Sequence, residues 1–173
     1  MASFLLTRRR WLAGLLAGSV QAAGASDPLP GPKGKVVLSI TGLVSRHNAP
    51  GRADFDMEML AALPQHQLVT RTPWHAGVQS FTGPLLRDVL AQAGASGQKL
   101  VAVALNDYRC EIPAEDAARF PVIIARLNNG EPMRVRDKGP LFIVYPYDSD
   151  AQLRSDRYYS RSAWQLRSLQ VQN

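Results

Sequence analysis

The side chains with the clearest chemical potential lie on a short predicted loop that follows Pro73. Trp74 offers a flat apolar ring, and His75 offers an imidazole that titrates near neutral pH. Binding residues are concentrated on such loops between ordered elements. A tryptophan is nevertheless more often a packing residue, and a lone histidine is more often structural than a metal ligand. The loop is therefore a candidate binding surface that needs further support.

Metal and disulfide chemistry are restricted by the number and spacing of the ligating residues. The chain has one cysteine, Cys110, which excludes an internal disulfide and any zinc or iron–sulfur site built from several cysteines. The histidines, His47, His66 and His75, are spaced too widely for a helical metal-binding pair. Cys110 falls within a predicted strand and is interpreted as a small buried apolar group.

The charge pattern argues against nucleic-acid binding. The formal net charge is +6, but three arginines lie at residues 8–10, and the chain beyond them has 17 Lys and Arg against 14 Asp and Glu. These cations are scattered, and no basic run alternates with aromatic residues, as a nucleic-acid-binding face would require. Binding of a small anion stays open, because two or three arginines are enough for it.

The first 25 residues are typical of an export signal. The arginines at 8–10 precede a short apolar stretch at 11–23, and Ala23-Gly24-Ala25 offers a small-residue cleavage site. The stretch is too short to span a bilayer well. The pattern around the arginines resembles the twin-arginine type, although arginine clusters also occur in ordinary signals. We therefore expect a periplasmic protein that is not embedded in the membrane once the signal is removed.

The remaining chain predicts one domain. Residues 26–35 are rich in Pro and Gly and are interpreted as a linker, and residues 36–173 have the length of a domain with a single core. Apolar runs predict six or seven strands. The strands are expected at residues 35–44, 67–72, 99–105, 108–112, 122–127, 141–145 and 163–171.

Helices and turns are expected between these strands. Helical spacing predicts a helix at residues 54–63, capped by Asp54. It predicts a second helix in residues 83–94, with Pro84 at its first position and Gly94 just past its C-terminus. Residues 114–120 predict a helical turn, and Asn129-Gly130 predicts a hairpin into a short polar strand. Loops are expected at residues 74–81 and 148–160. The order favours an α+β fold that is mostly β with short flanking helices.

Three segments, in this order, resemble the oxidoreductase molybdopterin-binding domain, which has the sulfite-oxidase fold. They are FTGPLLRDVLAQAG at residues 81–94, VALNDY at 103–108 and ARLNNGEPMRVRDKGPLFIVYP at 125–146. The resemblance implies a mixed, mostly β fold and a molybdopterin cofactor. It places Arg71, Thr72, Trp74 and His75 around the pterin pocket. Asp107, Tyr108, Arg134 and Lys138 are its further candidates for cofactor binding, with the last two facing the pterin phosphate.

One departure from the family pattern concerns the metal. In the enzymes of this family a cysteine thiolate, located before the Gly-Leu helix, ligates molybdenum. Residues 68–75 of this chain contain no cysteine, and Cys110 lies at a different place in the pattern. A threonine hydroxyl is a poor replacement for a soft thiolate. The resemblance therefore implies the fold and leaves the metal chemistry without its ligand.

Three functional hypotheses follow. The first is an exported, non-catalytic binding or accessory module without cysteine-ligated molybdenum, which presents a pterin or small anion to a membrane sensor or redox partner. The second is a molybdopterin-dependent periplasmic oxidoreductase that holds its cofactor without a cysteine ligand. The third is a structural or interaction domain with no small ligand.

Overall fold

The computed structural model describes residues 28–173. The predicted export signal and the first residues of the linker lie outside the described residues. The described chain is α+β and mostly β, as the sequence predicts. The strands are β1 (Val36–Gly42), β2 (Arg52–Asp56), β3 (Gln65–Arg71), β4 (Val78–Pro84), β5 (Lys99–Ala104), β6 (Arg109–Pro113), β7 (Ile123–Ala125), β8 (Leu127–Asn128), β9 (Glu131–Pro132), β10 (Phe142–Val144) and β11 (Leu166–Gln172).

Short helices connect these strands. No helix among residues 28–173 is long and apolar enough to cross a membrane. The α-helices are α1 (Met57–Ala62), α2 (Leu86–Gln92), α3 (Ala114–Arg119) and α4 (Asp156–Tyr159), and 3₁₀ helices lie at Val135–Asp137 and Ala151–Leu153.

A five-stranded sheet with the order β2-β1-β11-β5-β6 joins the two ends of the described chain. β1 and β11 are parallel, while the other neighbours are antiparallel. Side chains alternate across a strand, and Leu38 and Ile40 of β1 point into the core with no exposed surface, as does Leu169 of β11. The last strand therefore completes the sheet that the first strand begins.

A four-stranded antiparallel sheet has the order β3-β4-β8-β9. Its last two strands form the hairpin that Asn129-Gly130 predicts, with positive φ angles of 51° and 84° at these residues. Two successive positive φ angles are typical of a type I′ turn, which matches the twist of the strands. The Asn129 side chain also accepts a hydrogen bond from the Ser80 amide at 3.0 Å, so the turn is tied to β4.

The buried pair β7–β10 connects the two sheets. Phe142, Ile143 and Val144 of β10 have no exposed surface. An isolated bridge joins Ile123 of β7 to Leu85, immediately after β4, and another joins Phe142 to Trp164, shortly before β11. The pair is fully buried, which explains its continuous apolar sequence.

The helix predicted at residues 54–63 begins later than expected. Residues 52–56 instead form β2, which pairs with β1. The cap is Asp56, whose side chain accepts a hydrogen bond from the Met59 amide. Asp54 accepts hydrogen bonds from Ser39 and Arg52 side chains. Pairing along a buried strand with Phe55 in the core outweighs the helical spacing of these residues.

The predicted end of the loop at residue 81 and the predicted start of the next helix at residue 83 are also wrong. β4 starts at Val78 and extends through Gly83 and Pro84, which pair with β3, so α2 begins only at Leu86. A side chain at Gly83 would place Cβ 2.0 Å from the Ile124 carbonyl oxygen. The close approach of β4 to β7 thus requires glycine. The prediction that Gly94 follows the helix is confirmed, and its φ is +61°.

Two further expectations differ from the structure. The polar strand predicted after the hairpin is limited to β9 in the structure. Arg134 precedes a 3₁₀ helix and Arg136 lies within it. The predicted loop at 148–160 contains α4 and a 3₁₀ helix. The sequence predicts six or seven strands, whereas residues 28–173 form eleven. The number is underestimated because several of the observed strands are only two or three residues long. Such short strands give almost no periodic signal.

We expect Gly83→Ala to destabilise the fold by roughly 1–3 kcal/mol, because the new Cβ would press on the β7 backbone. Chemical denaturation of purified protein would measure this loss. Gly31→Ala is the matched control, since a Cβ added at that position would meet no atom within 4 Å. Equal stability of the two variants would contradict the close contact between β4 and β7.

Asp56 provides a pH-dependent anchor for the start of the domain. The amides of Lys33, Gly34 and Met59 donate to its carboxylate at 2.7–2.8 Å. These hydrogen bonds, that of Met59 first, lower the pKa of Asp56. A carboxyl group with a lowered pKa stabilises the fold above its unfolded pKa, and this stabilisation is lost as the pH falls through the folded pKa.

We therefore expect Asp56→Asn to lower the thermal unfolding midpoint at about pH 7, with a smaller difference from the native sequence at about pH 3. Circular dichroism would record both transitions. Glu58→Gln is the control, because this exposed acidic residue is in the same first helical turn. A pH-independent difference would rule out the carboxylate as the source.

Candidate functional site

The clearest candidate site is an aromatic cleft with a volume of about 310 Å³. Its residues come from the loop after β3, the turn before β6, α4, and the segment between α4 and β11. Its lining combines four aromatic rings with small polar side chains and one carboxylate. The lining residues are Trp74, Tyr108, Asp156, Tyr159, Ser160, Ser162 and Trp164.

Trp74 is the centre of the ring cluster behind the cleft. Its ring lies edge-on to those of Trp164 and Phe142, with centroids 5.2 and 5.6 Å away. It makes similar contacts with Tyr159 at 5.9 Å and Tyr147 at 6.4 Å. Edge-to-face pairs at these distances are favourable beyond the area that they bury. The indole is therefore held in one orientation before any ligand arrives.

Thr72 shapes the loop that carries Trp74. Thr72 is buried, and its Oγ1 lies 2.8 Å from Nδ1 of His75. The same oxygen accepts a hydrogen bond from the Trp74 amide at 3.4 Å. Just before it, the Arg71 amide donates to the Asp148 carboxylate at 2.9 Å. The Thr72 hydroxyl thus holds Trp74 and His75 together within the loop, while Asp148 fixes Arg71 at the end of β3.

The opposite wall is held by hydrogen bonds across the fold. The Tyr108 hydroxyl donates to the Ser160 carbonyl oxygen at 2.8 Å. Ser162 is hydrogen-bonded to the Tyr147 hydroxyl and donates to the Tyr158 carbonyl oxygen at 3.0 Å. These contacts order the residues from α4 to Trp164 against the rest of the cleft.

A buried ion pair secures this wall from behind. Arg161 lies 2.7 Å from the Asp116 carboxylate, and the Tyr145 hydroxyl donates to the same oxygen at 2.8 Å. The Arg161 guanidinium also lies 5.1 Å from the Tyr158 ring centroid. A buried carboxylate with two such partners is well compensated. Arg161 is therefore committed to the fold and is not a free cation for a ligand.

His75 and Lys138 lie beside the ring cluster. The His75 ring contacts Phe81 and Phe142, with centroids 5.5 and 6.2 Å away. Burial, and then the nearby Lys138 charge, lower the pKa of His75. Lys138 Nζ lies 5.4 Å from the Trp164 ring centroid. A neutral imidazole therefore accompanies one ammonium group at neutral pH.

Cys110 does not supply a thiolate to the site. It lies on β6, opposite Ala102 of β5. Burial raises the pKa of its thiol to about 11, and only weaker effects from the Ala163 amide and Arg161 oppose this shift. Partial burial of the Tyr108 hydroxyl, and then the nearby Cys110, raise the pKa of Tyr108. Both groups are protonated at neutral pH.

The structure brings five of the eight residues predicted from the sequence to this region. Trp74 and Tyr108 line the cleft. Thr72, His75 and Lys138 contact or support its rings.

The other three predicted residues lie in ion pairs. Arg71 lies 3.7 Å from Asp148, Asp107 lies 2.5 Å from Arg167, and Arg134 lies 2.8 Å from Asp137. Arg134 lines a separate depression that shares no residue with the cleft.

Sequence reasoning missed the wall between α4 and β11. Its polar residues fall in the predicted loop at 148–160 and just beyond it, and Trp164 falls in the predicted last strand. The dense group of aromatic residues in DRYYSRSAW was the available signal, because buried or interfacial aromatics seldom cluster in a solvated loop.

Comparison with known protein families identifies the family of this chain. The family described as oxidoreductase molybdopterin binding domain matches residues 32–148, which is more than half of the chain. The chain belongs to this family. A comparison with curated proteins gives no match.

As a molybdopterin-binding domain, the chain has no cysteine in residues 68–75, where the resemblance places the ligand of the metal. Among residues 28–173, no three His, Cys, Asp or Glu side chains are close enough together to hold a metal ion. Thr72 and His75 lie within that region, on the loop between β3 and β4, and the thiol of Cys110 on β6 is protonated. A cysteine ligates a metal as the deprotonated thiolate and not as the thiol. The cleft's rings and polar groups instead suit a planar organic group.

We expect Lys138→Gln to raise the pKa of His75, since removal of the ammonium charge makes the imidazolium less unfavourable. An NMR titration of the imidazole protons would detect the shift, with signals from His47 and His66 as internal references. The control is Lys99→Gln, because Lys99 pairs with Glu111 on the other sheet. An unchanged His75 titration would show that burial alone sets its pKa.

Proposed function

We propose that this molybdopterin-binding domain is an exported binding or accessory module that holds a pterin-type ring in the aromatic cleft without cysteine-ligated molybdenum. The observation that carries the proposal is the cleft itself, which is lined by preoriented aromatic rings and by the exposed carboxylate of Asp156. Export is supported by the signal-like sequence of residues 1–25. A membrane sensor or redox partner would receive the bound ligand.

The aromatic walls suit a flat heterocycle. Trp74 and Trp164 are both partly exposed at the cleft and lie 5.2 Å apart between ring centroids. A planar ring gains both apolar contact and quadrupole interactions from such side chains. Their edge-to-face packing is already complete without a ligand, so binding would require little ordering of these rings.

The polar groups of the cleft match the edge of a pterin. A pterin carries an amino group and ring N–H groups that donate hydrogen bonds. The Asp156 side chain has no ion pair or hydrogen bond among residues 28–173, and its carboxylate oxygens can accept such donors. The Ser160 and Ser162 hydroxyls lie on the same wall. Carboxylate recognition of ring N–H groups would give orientation in addition to stacking.

Lys138 would add attraction for the phosphate of the ligand. Its ammonium group lies against Trp164 and forms no ion pair among the described residues. An ammonium is a common phosphate-binding group. By contrast, Arg134 is paired with Asp137 beside a different depression. We therefore assign the phosphate contact to Lys138 and not to Arg134.

The full chain, exported through its own leader by a host that makes molybdopterin, provides the test. We expect a pterin to be released on denaturation and detected by its fluorescence after oxidation, with molybdenum well below one atom per chain by mass spectrometry. Asp156→Asn should reduce the pterin content several-fold, because it removes one charge from the hydrogen-bond acceptor. Glu115→Gln, at an exposed carboxylate on α3, is the matched control.

The alternatives give different results. About one molybdenum atom per chain together with a pterin would overturn the proposal in favour of the oxidoreductase hypothesis. The absence of pterin from every preparation would favour a domain without this ligand. Equal pterin content in the two carboxylate variants would place the ligand outside the aromatic cleft.

A further inference from the structure

A second depression, here called the sheet groove, lies beside β1 and β11 and has a volume of about 550 Å³. This volume is typical of small-molecule sites. The sheet groove shares no lining residue with the aromatic cleft. Its lining is mostly aliphatic, with two cations and two serines: Lys35, Val36, Val37, Ser39, Leu105, Val135, Pro140, Leu166, Arg167 and Ser168.

Exposed aliphatic side chains from three separate segments converge on the sheet groove. Val36 comes from β1, Leu105 from the turn after β5, and Val135 from the 3₁₀ helix, and they are 39%, 47% and 52% exposed. Single exposed apolar residues are ordinary, whereas a contiguous concave set marks a binding surface. The sheet groove thus presents an apolar concave surface to the solvent.

Gln165 fixes the two walls of the sheet groove. Its amide donates to the Lys138 carbonyl oxygen at 2.9 Å, and its side chain donates to the Val135 carbonyl oxygen at 2.7 Å. Its own carbonyl oxygen accepts a hydrogen bond from the Leu105 amide at 2.9 Å. The walls that carry Val135 and Leu105 are therefore held at a set separation. Such a preformed groove binds with little ordering cost.

The charged groups at the sheet groove favour an anion. Lys35 forms no ion pair among residues 28–173, and no Asp or Glu lines the groove. Arg167 pairs with Asp107, but both side chains are well exposed, at 45% and 76%. An exposed pair of this kind is weak, so the guanidinium is available to an arriving carboxylate. The Ser168 hydroxyl has no partner among the described residues and adds a donor.

We propose that the sheet groove binds a small amphipathic anion, namely an unbranched aliphatic chain that ends in one carboxylate. The aliphatic walls remove the chain from water, which is the main source of affinity. The carboxylate meets Lys35 and Arg167, which provide the preference for an anion over a neutral molecule. This site is independent of the pterin site proposed for the aromatic cleft.

Calorimetric titration of the full chain with octanoate tests the proposal. We expect octanoate to bind and octanol, which has the same chain without the charge, to bind several-fold more weakly. Lys35→Gln should weaken octanoate binding roughly three- to five-fold, as an exposed charge pair does. Leu105→Asp should weaken it about tenfold or more, because the new carboxylate lies in the apolar wall and repels the ligand.

Val69→Asp is the matched control for Leu105→Asp. Val69 is 62% exposed on β3 and lines no part of the sheet groove. Circular dichroism should show that both variants are folded, as expected for exposed positions. Leu105→Ala provides a milder second test of the same wall. Octanoate affinity should be unchanged in the control.

Three results would overturn the proposal. Equal binding of octanol and octanoate would exclude anion recognition. Octanoate binding that survives Leu105→Asp and Leu105→Ala would place the ligand elsewhere. Self-association that Leu105→Asp abolishes, without octanoate binding to the native chain, would identify the groove as a contact between two copies.

Discussion

The Phe142 ring joins the parts of the fold that build the aromatic cleft. Its centroid lies 5.7 Å from that of Phe81 on β4 and 5.6 Å from that of Trp74. Its backbone pairs with β7 on one side and bridges to Trp164 on the other. One buried residue thus links the four-stranded sheet, the ligand-facing loop and the strand that closes the five-stranded sheet. The position of both cleft tryptophans depends on this packing.

The chemistry of the site follows from which groups this packing leaves available. Arg161 and Asp116 neutralise each other behind the cleft, and burial keeps Cys110 as a thiol. Among the described residues, the charged groups beside the aromatic rings that form no ion pair are Asp156 and Lys138. Aromatic surface with one acceptor and one cation can hold and orient a planar, charged ligand. No cysteine or methionine lines the cleft, so its lining among the described residues offers no soft metal ligand.

The sequence was most informative where a local signal and the tertiary environment agree. The Asn129-Gly130 turn and Gly94 adopt the positive φ angles that their residue types favour, because these conformations depend on local backbone geometry. At residues 54–56 and 83–84, by contrast, strand pairing and close backbone contact outweigh helical spacing. Helix propensity amounts to a fraction of a kcal/mol per residue, whereas burying Phe55 contributes about 2 kcal/mol.

Residue types and their order are enough to predict the family and the mostly β class, and they show a solitary cysteine. They also point to five candidate residues that the fold brings near the cleft. These properties depend on residue types, their order and short-range turns. The contacts of Tyr159 and Trp164 with Trp74, and the ion pair of Arg134 with Asp137, become visible only in the folded chain. Trp74 and Trp164 are 90 positions apart in the chain, and only β10 and β11 bring them together. Spacing along the chain contains no signal for contacts that are created by sheet pairing at long range.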